Sequence, residues 1–144
     1  MIQWSPDYET GIREIDDDHK RLAEGLNQLE QALASGSGAR HITQLLNFLS
    51  SYATTHFARE EKCMAHHQCP TAAANKAAHQ DFSRKFSAAQ AKIAKTSGTA
   101  AALVAMQVHR ELSDWIVQHI LRVDSALKRC AAPATAPKLF SAAR

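Results

Sequence analysis

Apolar residues recur at three-and-four spacing in four stretches of the chain, separated by short runs of small, polar or turn-forming residues. The first stretch carries Leu22, Leu26, Leu29 and Leu33, and the second Ile42, Leu45, Leu49 and Tyr52. The third carries Phe82, Phe86 and Ile93, and the fourth Val108, Leu112, Trp115, Val123 and Leu127. Breaks fall at Ser35-Gly36-Ser37-Gly38, at His66-His67-Gln68-Cys69-Pro70 and at Thr96-Ser97-Gly98-Thr99. Glycine stops a helix, and Pro70 suits the first turn of the next one. The pattern predicts helices over 17–35, 39–65, 71–95 and 99–130. Short connections make neighbours antiparallel, so the expected fold is an all-α, up-down-up-down four-helix bundle. Residues 1–16 are expected to form an N-terminal arm that Trp4, Tyr8 and Ile12 lay against the bundle. One domain over 1–131 is followed by an Ala/Pro/Thr-rich stretch, 132–144, expected as a flexible tail.

Extending each stripe by its own period reaches polar residues. His19 lies three before Leu22; His56 lies four after Tyr52, and Glu60 four after His56. Asn75 and His79 run back from Phe82, and His119 lies four beyond Trp115, with Asp124 five further on. Residues four apart share a face, so every helix directs an imidazole at the bundle axis. The His119–Asp124 spacing turns about 140° on a regular helix, so a local irregularity is expected there. The first and third helices begin at the end where the second and fourth finish, which puts all these residues in one slab. A single inward histidine is usually a hydrogen-bonded core residue. Four from four helices, beside two acids, are a different matter. Each unpartnered buried group costs about 1–3 kcal/mol, and a domain has only about 5–15 kcal/mol of net stability. Bound cations remove the conflict.

Nitrogen and oxygen donors without a thiolate suit iron or manganese better than structural zinc. Two carboxylates among the histidines suggest two cations bridged by Glu60 and Asp124. The ferritin-like alternative needs Glu-x-x-His, and no Glu here has a His three residues later.

Composition narrows the class further. The 144 residues are 45% hydrophobic but only 6% aromatic, with a net charge of +3. Lysines and arginines are scattered rather than striped, which argues against a nucleic-acid surface. No apolar run is long enough to span a bilayer. The first residues lack a secretory signal pattern, and the odd set Cys63, Cys69 and Cys130 suits reduced thiols. Both point to a cytoplasmic location. Cys63, His66, His67 and Cys69 either bind a separate soft metal or, as expected, face solvent in a loop. His41 and His109 fall at the opposite end of the bundle and are expected not to be ligands.

These residues resemble bacterial hemerythrin domains: His19, the run His56-Phe57-Ala58-Arg59-Glu60-Glu61, Pro70 to His79 and Phe82, and Trp115-Ile116-Val117-Gln118-His119-Ile120 to Asp124. The arm, with Trp4, Tyr8, Gly11-Ile12 and Ile15-Asp16, is similar too, so the likeness spans about residues 1–130. It implies a non-haem centre of two iron ions, bridged by carboxylates and an oxo or hydroxo group, that binds O2 reversibly. By that resemblance His19 and His56 hold the iron that takes O2, His79 and His119 hold the other, and Glu60 and Asp124 bridge them. Phe57, Trp115, Ile116 and Ile120 would line an apolar oxygen pocket; ordinary core packing explains them equally well. The chain departs from the family in having Asn75 where the family has His, and Cys69 where it usually has Tyr. The loss at position 75 implies a second open or water-filled position on the iron of His79 and His119. The expected function is O2 carriage, storage or sensing, with no delivery partner indicated. A di-iron oxidase or peroxidase is the alternative, and a metal-poor interaction module a third.

Overall fold

Asp16 decides where the first helix begins. Its carboxylate accepts hydrogen bonds from the Thr10 N–H at 2.6 Å, the Thr10 hydroxyl at 2.8 Å and the Gly11 N–H at 3.1 Å. Gly11 takes φ +83° to make this approach, a conformation open to a residue without Cβ. In this computed structural model, which describes residues 1–37 and 39–131 (of Ala39 and Arg40 only the backbone), helix α1 runs over Arg13–Ala34. It starts at residue 13 rather than 17 because the clamp requires Asp16 to be helical already. The tail expected over 132–144 lies outside the described residues.

α1 closes with two reversed hydrogen bonds, Ser37 N–H to Ala32 O at 2.8 Å and Gly36 N–H to Leu33 O at 3.2 Å, with Gly36 at φ +68°. Helix α2, Ala39–His66, ends the same way through Cys69 N–H to Met64 O and Gln68 N–H to Ala65 O. Here the left-handed residue is Gln68, at φ +51°. Helices α3, Ala72–Ala94, and α4, Gly98–Arg122, follow. The single helix expected over 99–130 is broken at Val123, where φ −109° and ψ −57° lead into a 3-10 turn, Asp124–Ala126, and a last short helix α5, Leu127–Cys130.

α1 packs on α2 and α4, and α3 packs on the same two, so sequence neighbours stand side by side and α4 closes the ring. The fold is the expected all-α, up-down-up-down four-helix bundle, with its arm folded back: Ile2 and Tyr8 pack on the core, and Lys20 sits over the Trp4 ring. The main core joins Leu22, Leu26, Leu29, Leu46, Leu49, Phe57, Phe82, Phe86, Leu112, Ile116 and Ile120 with smaller residues between them. On α2 the buried stripe runs through Leu46 and Ala53, leaving Leu45 and Tyr52 half-buried. A second, smaller cluster of Ile15, Met64, Cys69 and Leu127 closes the end where α2 stops and α5 begins. The polar slab lies between the two.

Cys69 and Cys130 are joined by a disulfide across 5.4 Å between their Cα atoms, and Cys63 is free. This corrects the expectation of three reduced thiols. An odd count allows one bond plus one thiol, and the turn after α2 and the end of α5 converge in the small cluster. The thiols therefore give no argument about the compartment. Cys69 is buried rather than solvent-facing, while His66 and His67 are exposed; among the described residues no potential metal-binding group includes any of them.

Candidate metal centre

Each helix delivers its polar residues by the same device: a ligand-type side chain replaces an apolar one in the inward stripe. His19 from α1, His56 and Glu60 from α2, Asn75 and His79 from α3, and His119 from α4 are all buried, as is Asp124 from the turn beyond α4. The break at Val123 brings Asp124 back to the face of His119, with Asp124 Oδ1 3.2 Å from His119 Nε2. The irregularity expected from the five-residue spacing is this 3-10 turn.

The layer resolves into two sets of donors. His19, His56, Glu60 and Asp124 form one, and His79, His119, Glu60 and Asp124 the other. Within each set one donor atom per residue lies within 4.8 Å of every other. The two sets share both carboxylates. Asp124 spans the halves directly, with Oδ2 3.3 Å from His19 Nε2 and Oδ1 3.2 Å from His119 Nε2. Glu60 Oε2 lies 3.2 Å from His79 Nε2.

These contacts do not work as hydrogen bonds. Both Asp124 oxygens, both His19 nitrogens, Glu60 Oε1 and Asn75 Oδ1 are buried without a hydrogen-bond partner. Spacings of 3.1–3.3 Å instead match adjacent ligands in an octahedron, which stand about 3 Å apart when each is about 2.1 Å from the ion. His79 makes the point chemically. Its Nδ1 lies 3.0 Å from Glu61 Oε1, a carboxylate that only accepts, so Nδ1 carries the hydrogen. The other ring nitrogen, Nε2, then faces Glu60 Oε2 and, at 3.1 Å, His119 Nε2. The three atoms converge as ligands of one ion would. The residues present fit a pair of cations.

Two outer carboxylates orient the histidines, an arrangement that fixes ring tautomers in metal sites. Glu61 serves His79. Asp18 lies 3.5 Å from His56 Nδ1, accepts from Tyr52 OH at 2.7 Å and pairs with Arg59. Burial works against ionising Asp18, but His56, Tyr52 and Arg59 outweigh it and hold its carboxyl below the usual range. Burial and the neighbouring Asp18 push the Tyr52 phenol up to about 12. Burial likewise opposes charge on Asp124, and His119 and His19 reverse the balance, lowering its carboxyl. Asp18 and Glu61 escape a reading based on periodicity, because they act across helices through side-chain reach. The Glu60-Glu61 pair was the one available signal.

Phe57 stacks on the His79 ring at 3.8 Å between centroids, and Trp115 stacks on His119 at 4.2 Å. Ile116 and Ile120 are buried in the main core. The aromatic pair thus covers the His79–His119 half, and a 280 Å³ groove lined by Phe82, Phe86, Leu112 and Trp115 among others opens from it between α3 and α4. His41 is exposed, and His109 approaches Leu26 O at 3.1 Å; neither joins the layer.

Fold and site together define a cation-binding four-helix protein. The hemerythrin HHE cation binding domain family matches residues 10–131. A bacteriohemerythrin from Stenotrophomonas maltophilia (strain R551-3) is 29% identical over 126 residues, covering 88% of this chain and 78% of its own. One from Pseudomonas aeruginosa (strain LESB58) is 31% identical over 124 residues, covering 86% and 77%. A crystal structure of wild-type hemerythrin superposes with a TM-score of 0.80 at 26% identity, covering 92% of this chain and 99% of that one. The chain belongs to the hemerythrin family. Among the described residues no helix is long and apolar enough to cross a membrane.

Proposed function

We propose that this protein holds two iron ions and binds O2 reversibly, for carriage, storage or sensing. The observation that carries the reading is the sharing of Glu60 and Asp124 by two adjacent donor sets, which suits a pair of bridged ions rather than two isolated ones. His19 and His56 would hold one iron, His79 and His119 the other, with Glu60, Asp124 and an oxo or hydroxo group between them. When bound, such a pair would supply reversible two-electron chemistry toward O2. Imidazole and carboxylate donors with open positions suit iron.

The chain's own part is to bind, orient and keep dry. Glu61 and Asp18 fix the rings of His79 and His56. Phe57 and Trp115, with Ile116 and Ile120 behind them, exclude water from the histidines, which favours a small apolar ligand and slows loss of electrons to solvent. A di-iron oxidase or peroxidase is the second reading; the observation favouring it is Asn75, a carboxamide buried in the layer with its nitrogen turned to Glu60 Oε2.

Iron per chain, followed by anaerobic reduction and addition of O2 under visible spectroscopy, tests the proposal. Two irons and an absorption band that appears with O2 and fades under vacuum are expected. A protein that retains no iron overturns the reading, and irreversible oxidation with turnover of added peroxide moves it to the enzyme.

A further inference from the structure

Resting on that reading, we infer that Asn75 leaves the His79–His119 ion with an exchangeable position that takes a small exogenous anion or solvent molecule. Each donor set brings together two imidazoles and the two shared carboxylates. An octahedral ion bridged by one further oxygen then lacks one ligand on either side. Among the described residues, Asn75 is the one other buried polar side chain beside the second set. It is fully buried, one turn before His79 on α3.

Its amide nitrogen lies 3.1 Å from Glu60 Oε2, close to the 3.2 Å that separates the same oxygen from His79 Nε2. It therefore borders the second donor set. A carboxamide nitrogen has no lone pair to give a metal, because that pair is delocalised into the carbonyl. It donates instead, to Glu60 Oε2 and to Met64 Sδ at 3.2 Å. The carbonyl oxygen, which could coordinate, is buried with no partner. Asn75 thus steadies the bridging carboxylate and withholds a donor from the ion. Phe57 and Trp115 lie over the two histidines of this same half, so a ligand entering it must have few atoms.

Azide titration of the iron(III)-loaded protein, read by calorimetry and visible absorption beside iron analysis, tests this. The wild-type protein is expected to bind one more equivalent of azide per chain than the Asn75→His variant, with two irons in both. Asn75→Asp, equal in size but with a ligating oxygen, is expected to lose the same equivalent, and it serves if the imidazole is too large for the site to fold around. Equal stoichiometry in the wild type and the variants, with iron retained, overturns the inference and shows the amide oxygen filling the position, while leaving the di-iron reading intact. Absence of iron from the wild-type protein overturns both.

Discussion

Replacing Glu60 by methionine separates the demands of folding from those of metal binding. Glu60 is fully buried, with one carboxylate oxygen unpartnered and the other facing His79 Nε2 at 3.2 Å and Asn75 Nδ2 at 3.1 Å. Without metal, the carboxylate is an incompletely satisfied charge in a layer between two apolar cores. Methionine has nearly the same volume and no polar atom to satisfy. Replacing buried ionic groups by well-packed apolar ones is neutral or stabilising by about 1–4 kcal/mol where no partner charge is stranded. Among the described residues, Glu60 without metal has no buried Lys or Arg partner. Asn75 Nδ2 loses one acceptor, a loss of about 1 kcal/mol, though Met64 Sδ remains within 3.2 Å of it. In chelator, Glu60→Met is expected to be more stable than wild type by up to about 3 kcal/mol. With iron the order reverses, because the variant has lost a donor common to both sets. Urea unfolding of both proteins, with chelator and with ferrous iron under anaerobic conditions, reads the two differences. A variant that is less stable by the same amount in both conditions would refute the reasoning, since the layer would then be held by internal pairing.

Three further outcomes follow from the same contacts. Glu61→Gln removes the carboxylate that fixes the tautomer of His79, and iron affinity measured by competition with a chelator should fall about 10–100-fold. Reducing the Cys69–Cys130 bond, which closes a separation of 61 residues, should lower stability by up to about 4 kcal/mol, seen as a Tm difference between oxidised and reduced protein on the order of 10 °C. Gln68→Gly relieves a left-handed residue at φ +51°, which costs about 1–2 kcal/mol. After the greater freedom of glycine in the unfolded chain is deducted, chemical denaturation should show a gain of up to about 1 kcal/mol.

The inward stripes of α1, α3 and α4 are legible because a buried helix face repeats at a fixed period, and an imidazole within that repeat is conspicuous. His19, His56, Glu60, His79 and His119 could be set at one level by counting from the breaks alone. Asp124 could be paired with them only by supposing an irregularity, since the turn at Val123 is a tertiary outcome with no strong local signal. Asp18, Tyr52 and Arg59 were not legible, because their meeting depends on the approach of α1 and α2 and on the length of the arginine side chain. The disulfide was hidden for a different reason: counting cysteines says nothing about which chain ends converge. On α2, Leu45 and Leu46 both fit a helical period, and only the rotation of the packed helix selects Leu46.

The stacking of Trp115 on His119, at 4.2 Å and 12° between planes, gives the molecule a built-in optical gauge. An indole in face contact with the imidazole that would grip a paramagnetic ion loses its emission when that ion arrives. The one other tryptophan, Trp4, is on the arm beside Lys20 and supplies a steady background. Intrinsic fluorescence should therefore report filling of the His79–His119 half separately from its neighbour, without any label.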